Sequence, residues 1–205
     1  MDNVISDIFR STILQDALKI FKANGVKAIS MSDIAQKLGI SPATLSAIAE
    51  NKDDLFRKAI LNDMAEGRKR SQEVIARSLG PVEQLMNLLK LSLEESKDLN
   101  PSYITDFMTF TDLLEVVDRE IEDYSIPLYQ SILNEGIRAG VFRMDINIDI
   151  VSKVIMQNLY VLLNLKVFPP ERYNTGEVIR SIYLYYFRGL CEPEAARQVD
   201  NYFSK

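Results

Sequence analysis

The sequence lacks histidine and tryptophan and contains a single cysteine, Cys191. Without histidine the chain has neither the commonest general base nor the commonest metal ligand, and one cysteine cannot form an internal disulfide bond. We therefore expect no catalytic residues, no metal site and no cofactor. Cys191 has no activating neighbour in the sequence, so an unreactive thiol is expected at this position.

Long apolar segments are also missing. No stretch approaches the roughly 18 apolar residues that span a bilayer. The opening residues, MDNVISDIFRS, have neither the basic head nor the apolar core of a signal peptide. The sequence therefore predicts a cytoplasmic protein without membrane segments. Its 205 residues, 47% hydrophobic and 26% charged, have the balance of a globular protein with a full core.

Positive charge is in slight deficit and is unevenly distributed. The chain has 24 Lys and Arg against 29 Asp and Glu, a net charge of -5. Residues 1–70 carry 11 basic and 9 acidic side chains, whereas residues 71–205 carry 13 and 20. This asymmetry indicates that only the first part faces an anionic partner. The acidic clusters farther along lack any accompanying catalytic or metal-binding pattern and are interpreted as solvated helix faces.

Glycine and proline are few, eight and seven, and apolar residues recur at spacings of three and four. This pattern predicts an all-α protein. Serines mark helix starts at Ser30 and Ser41-Pro42, and Asp33 can return a bond to Ser30 in a capping-box-like pair. Glycines mark helix ends at Gly25 and Gly39. A long helix over 52–79 is predicted to extend about 40 Å. About nine helices are expected, with the later ones near residues 81–97, 101–110, 112–138, 147–166 and 175–190, and with punctuation at Gly136 and Gly140.

The dipeptide Gly80-Pro81 is the clearest boundary in the chain, because glycine readily caps a helix and proline cannot continue one. We predict a helix-turn-helix domain over residues 1–51, connected by the helix 52–79 to a helical domain over residues 80–205. The polar residues after Glu192 are compatible with either a short packed helix or a frayed chain end.

The segment ISMSDIAQKLGISPATLSAI has the pattern of a helix, a tight glycine turn and a second helix. Such a unit can place its second helix in the major groove of DNA. Residues 6–60 resemble the DNA-binding domain of TetR-family transcriptional regulators. The residues that carry the resemblance lie on the first three predicted helices and the start of the fourth: Arg10, Ile13, Leu14, Ala17, Phe21, Gly25, Ser30, Asp33, Ile34, Ala35, Leu38, Gly39, Ile40, Ser41, Thr44, Leu45, Lys52 and Leu55.

The resemblance implies a DNA-binding regulator whose second motif helix reads the operator. The residues expected to contact DNA lie on that helix, at helix starts and on the first helix: Arg10, Ser30, Ser41, Pro42, Ala43, Thr44, Ser46, Ala47 and Lys52. Phosphate contacts are expected from Arg10, Thr44, Lys52 and the N–H groups at helix starts.

The recognition helix departs from the family pattern. After Thr44-Leu45 the family usually has a tyrosine and then an aromatic pair, whereas residues 46–49 here read SAIA. The expected reading face has no Arg, Lys, Asn or Gln to bond a base edge. The remaining means of sequence recognition are contacts between alanine and thymine methyl groups, hydrogen bonds of the Ser46 hydroxyl, and the shape of the DNA. An alternative interpretation is a TetR-like fold that has lost operator reading and acts as a small-molecule-binding or protein-interaction module.

The second half contains more apolar helix surface than one core face requires. Residues 151–165 are apolar on nearly every side of a helix. The surface that does not face the chain's own core either contacts a partner chain or is buried in a single thicker core. In the TetR family the last two long helices pair across a dimer. We therefore expect a homodimer through helices near 147–166 and 175–190, with reading helices about 34 Å apart on a palindromic operator.

Adaptable apolar side chains between the two halves are expected to line a pocket for a small apolar or amphipathic effector. These residues are Tyr103, Phe107, Phe110, Val117, Tyr124, Met156 and Tyr160. The alternative is that each of them simply fills the core. An effector acts by favouring a separation of the two reading helices that cannot dock on DNA. The expected function is therefore that of a ligand-released repressor.

Overall fold

The computed structural model describes residues 6–96, 99–164, 166–169 and 171–204, and the backbone alone at residues 159, 160, 162, 163 and 175. These residues are mainly helical and include no strand, which confirms the all-α prediction. The helices are α1 Asp7–Asn24, α2 Met31–Leu38, α3 Pro42–Ile48, α4 Lys52–Arg77, α5 Pro81–Glu95, α6 Pro101–Phe107, α7 Thr111–Glu120, α8 Ile126–Arg138, α9 Ile148–Leu163, α10 Thr175–Leu190 and α11 Pro193–Phe203.

The segment predicted as one helix over 112–138 is instead α7 and α8, separated by a π-helical turn over Ile121–Ser125. Pro127 has no backbone N–H to donate to the carbonyl of Asp123. The preceding N–H, that of Ile126, bonds five residues back to the carbonyl of Ile121, which is the spacing of a π-helix.

The polar residues after Glu192 form α11, which packs on the second core through the buried side chains of Ala195 and Val199. The part of the chain that the structure describes therefore has eleven α-helices rather than about nine. None of these helices combines the length and the apolar character that crossing a bilayer requires.

The chain divides into two compact units. The first contains the described residues of Met1–Gln72 and Glu95–Val116, and the second contains those of Glu73–Glu94 and Val117–Lys205. The predicted boundary at Gly80-Pro81 does separate α4 from α5. The helix-turn-helix segment, however, belongs to a larger unit that also includes α6.

The core of the first unit is built around Phe56 of α4, which is fully buried. Its ring lies 5.0 to 6.1 Å, between centroids, from the rings of Phe21, Tyr103, Phe107 and Phe110. Three of these contacts are edge-to-face, a favourable arrangement for aromatic rings. The cluster joins α1, α4 and α6 and fixes α6 beside the helix-turn-helix segment.

The core of the second unit contains a close approach between a ring and a backbone. The ring of Phe142, which is 1% exposed, lies against Gly136 so closely that a Cβ atom there would overlap it. Gly136 lies inside α8, which ends at Arg138, the end predicted for the helix 112–138. The glycine is required by packing rather than by a turn.

The segments that follow α8 and α10 pair with each other. Phe142 and Cys191 form an antiparallel bridge, in which the N–H of Arg143 donates to the carbonyl of Leu190 over 3.0 Å. The Cys191 side chain is buried, and this burial raises the pKa of its thiol to about 12. The thiol is therefore protonated and unreactive at neutral pH.

We expect Gly136→Ala to lower the free energy of unfolding by about 1 to 3 kcal/mol, because the added methyl group overpacks the core against Phe142. Urea unfolding followed by circular dichroism measures the change. Gly189→Ala is the matched control, since Gly189 also lies in a helix of the second unit but has open space where its Cβ would be. Equal stability of the two variants would contradict the packing role of Gly136.

Candidate nucleic-acid interface

The start of α2 is fixed by a reciprocal pair of side chains. The N–H of Asp33 donates to the Ser30 hydroxyl over 3.2 Å, and the N–H of Ser30 donates to the Asp33 carboxylate over 3.1 Å. This is the predicted capping box. Hydrogen bonds from the hydroxyl and the N–H of Ser30 hold the pKa of Asp33 below its usual value. The carboxylate thus stays charged at the positive end of the helix dipole.

The recognition helix α3 is held at both ends. Ser41 accepts a hydrogen bond from the N–H of Thr44 over 3.0 Å, and the two hydroxyls lie 2.8 Å apart. At the other end the Lys58 ammonium donates to the carbonyl of Ile48 over 3.1 Å and to Asp54 over 2.7 Å. A cation at a helix C-terminus is favourable. This seven-residue helix therefore depends on groups outside it.

The two faces of α3 differ sharply in burial. Leu45 and Ile48 are 1% and 2% exposed and pack in the first core. The opposite face consists of the four small residues predicted to read DNA bases, all of them exposed: Pro42, Ala43, Ser46 and Ala47. The helix therefore turns its reading face outward and anchors itself with its apolar face.

A buried carboxylate of α6 holds the loop between α1 and α2. The N–H groups of Val26 and Lys27 both donate to Oδ2 of Asp106, over 2.9 and 2.8 Å. The other oxygen of Asp106 lies 3.6 Å from the Lys27 ammonium. Asp106 is only 7% exposed, and a buried carboxylate requires partners of this kind. The loop that leads into the helix-turn-helix is therefore positioned by α6.

Basic side chains surround the start of α4. The Lys52 ammonium donates to the carbonyl of Lys27 over 3.2 Å. Arg57 makes a bidentate contact with Asp112, at 2.6 and 3.2 Å, and its guanidinium lies 5.2 Å from the centroid of the Phe110 ring. The contact raises the pKa of Arg57 and lowers that of Asp112. Together these groups border a surface pocket of about 380 Å³, lined by Val26, Lys27, Lys52, Asp53, Arg57, Thr109 and Phe110.

All nine residues predicted to contact DNA lie in the first unit. Four of them also have structural partners: the Ser30 and Ser41 hydroxyls cap helices, the Thr44 hydroxyl contacts that of Ser41, and Lys52 binds the α1–α2 loop. Arg10 is exposed on α1. Their contacts with DNA stay predictions.

Sequence reasoning missed two positioning residues, Lys58 and Asp106. Lys58 had a local signal, because it follows Asp54 by one helical turn. Asp106 had none, because its partners lie 79 and 80 residues away in the sequence.

Residues 13–59 match the family model described as "Bacterial regulatory proteins, tetR family". This match identifies residues 13–59 as a DNA-binding domain of the TetR-family type. It is 25% identical over 161 residues to the repressor KstR2 of Mycolicibacterium smegmatis, covering 74% of this chain and 76% of that one. It is 28% identical over 193 residues to the regulator YvaF of Bacillus subtilis, covering 90% and 96%.

The fold of the chain is similar to that of the ketosteroid transcriptional regulator KstR2 of Mycobacterium tuberculosis. The TM-score is 0.62 at 18% identity, over 91% of this chain and 97% of the other. With the family match and the exposed, capped α3, these relatives identify the chain as a DNA-binding transcriptional regulator. Both sequence relatives are described as transcriptional regulators of the helix-turn-helix type.

The seven predicted effector residues are divided between the two units. Tyr103, Phe107 and Phe110 lie together in the first unit, where their rings pack on Phe56. The second unit contains Val117, Tyr124 and Met156, and Met156 is part of its core. The Tyr160 side chain lies outside the described residues. A ligand-binding role for these residues stays a prediction.

A groove of about 840 Å³ lies in the second unit and contains none of those seven residues. It is bordered by three arginines, each of which contacts a carboxylate: Arg143 with Asp145, Arg188 with Asp200 and Arg197 with Glu194. Such paired charges differ from the mainly apolar lining expected for the effector.

We expect Asp106→Ala to lower the free energy of unfolding by about 2 kcal/mol, because the buried N–H of Val26 loses its acceptor. Urea unfolding measures the effect. Asp106→Asn is the matched control: its amide oxygen can still accept from the loop, so a loss of less than about 1 kcal/mol is expected. Wild-type stability of the alanine variant would show that the α1–α2 loop does not depend on this carboxylate.

Proposed function

We propose that the protein is a ligand-released repressor that binds a palindromic operator as a homodimer. The observation that carries the DNA-binding part is the outward reading face of α3 in a helix-turn-helix segment capped at Ser30 and Ser41. The repressor KstR2 of Mycolicibacterium smegmatis, which aligns with 74% of this chain, supports repression as the mode of action.

Exposed apolar side chains on α9 and α10 support a dimer through these helices. Ile150 is 58% exposed, Val161 39% and Tyr185 68%. Exposed apolar side chains on two long helices are more stable when another protein surface covers them than when they contact water. A second copy of the chain covers it symmetrically and presents two α3 helices to one DNA site.

A small apolar or amphipathic effector is proposed to release the protein from DNA. The KstR2 of Mycobacterium tuberculosis is described as a ketosteroid transcriptional regulator, and a steroid skeleton belongs to this chemical class. The helix α4 is continuous from Lys52, beside the reading helix, to Arg77. A ligand that binds one α4 orientation more tightly changes the separation of the two reading helices.

The first test is a titration of the protein with DNA from upstream of its own coding region and with scrambled DNA. We expect tight binding only to the native fragment, with two chains per site. Affinity should fall about a hundredfold or more between 50 and 200 mM salt, because several phosphate contacts release counterions. Equal, weak binding to both fragments would favour the alternative of a TetR-like module that has lost operator reading.

The dimer is tested with Tyr185→Glu, which places a charge in the proposed interface. We expect a shift to monomers in light scattering and at least a tenfold weaker operator affinity, since the half-sites are then bound independently. Met144→Glu is the matched control, because Met144 is 84% exposed and lies outside α9 and α10. A monomeric wild-type protein, or an unchanged dimer in the Tyr185 variant, would contradict this interface.

A further inference from the structure

We infer that α3 selects its operator through the C5-methyl groups of thymine, with Ala43 and Ala47 as the residues that detect them. The inference rests on the proposed operator binding and specifies the class of DNA sequence that the reading face takes. The distinguishing feature is a reading face that is exposed and yet has only one polar group, the Ser46 hydroxyl.

The orientation of this face is fixed by the rest of the first unit. Leu45 and Ile48 are buried, so α3 cannot rotate about its axis without exposing them. Ser41 and Lys58 hold its two ends. The direction in which the alanine methyl groups point is therefore set before DNA is met.

The spacing of the two alanines fits stacked base pairs. Ala43 and Ala47 are one helical turn apart, which places their methyl groups about 6 Å apart along the helix. Successive base pairs are separated by about 3.4 Å. When α3 lies in the major groove, the two methyl groups reach positions about two base pairs apart.

The chemistry of these side chains selects thymine among the four bases. In the major groove guanine, adenine and cytosine present hydrogen-bonding atoms, whereas thymine adds an apolar methyl group. An alanine placed on a donor or acceptor leaves that group without a partner, which is unfavourable. Ser46 can bond to more than one base and discriminates little.

Longer polar side chains nearby lie on a different helix. Gln36 and Lys37 are exposed on α2, the helix that crosses the phosphate backbone when a helix-turn-helix docks. Their contacts therefore fall on phosphates, which carry no direct sequence information. Base reading is left to α3.

The test begins with selection of binding sites by the full-length protein from a randomised duplex library. The enriched site is then synthesised with thymine and with deoxyuridine, which lacks only the methyl group. We expect enriched half-sites with thymines about two base pairs apart. Affinity should fall about fourfold for each contacted methyl group removed, and about fifteenfold for a half-site that loses both.

Protein variants assign the effect to α3. In Ala43→Gly and Ala47→Gly the ratio of thymine to deoxyuridine affinity should fall towards one. Ala23→Gly, at an exposed position of α1, introduces the same loss of helix propensity away from the reading face and should keep the full ratio. Because the base substitution leaves the protein intact, the comparison with wild-type protein does not depend on the folding of any variant.

The outcomes separate the two levels of the proposal. If no sequence is enriched, the operator-binding function itself is wrong, and the thymine inference fails with it. If a sequence is enriched but binds equally well with deoxyuridine, the protein reads an operator and the thymine inference alone is overturned. An undiminished ratio in both α3 glycine variants would also overturn it.

Discussion

The free backbone groups of short helices impose the main constraint on the first unit. An α-helix leaves its first N–H and last C=O groups without intrahelical partners, and α2 and α3 have only eight and seven residues. Side chains must therefore bind a large share of their backbone groups. Ser30, Ser41 and Lys58 do this for the helix ends, and Asp106 does it for the loop before α2. The orientation of the reading helix follows from these polar contacts as much as from its core.

The parts of the fold with local signals were predictable from the sequence. The capping box at Ser30, the N-cap at Ser41 and the glycine end at Gly39 each depend on residues within one helical turn, and the structure has all three. The π-helical turn before Pro127 was not predicted, because apolar spacing continues through it and only the missing N–H of proline interrupts the hydrogen bonds. The packing role of Gly136 was not predicted either, because the sequence does not show that the chain turns back after α8 and places the Phe142 ring against this glycine.

The site was predictable only in part. The exposed face of α3 follows from periodicity, and its four small residues could be named from the sequence. The association of α6 with the helix-turn-helix could not, because Asp106 and the loop are 79 or more residues apart and no pattern connects them. The contacts of the Tyr103, Phe107 and Phe110 rings with Phe56 could not be predicted for the same reason. Side-chain type indicates apolar surroundings but not which ones.

The state of Cys191 has a practical consequence for spectroscopy. It is the only cysteine in the sequence, and its thiol is buried and protonated at neutral pH. A new cysteine at an exposed position, such as Leu79 with 96% exposure, would react with thiol-directed dyes or spin labels while the native thiol stays unmodified. Each chain of an assembly would then carry one probe, and distances between probes would report directly on geometry in solution. The protein needs no background substitution for such measurements.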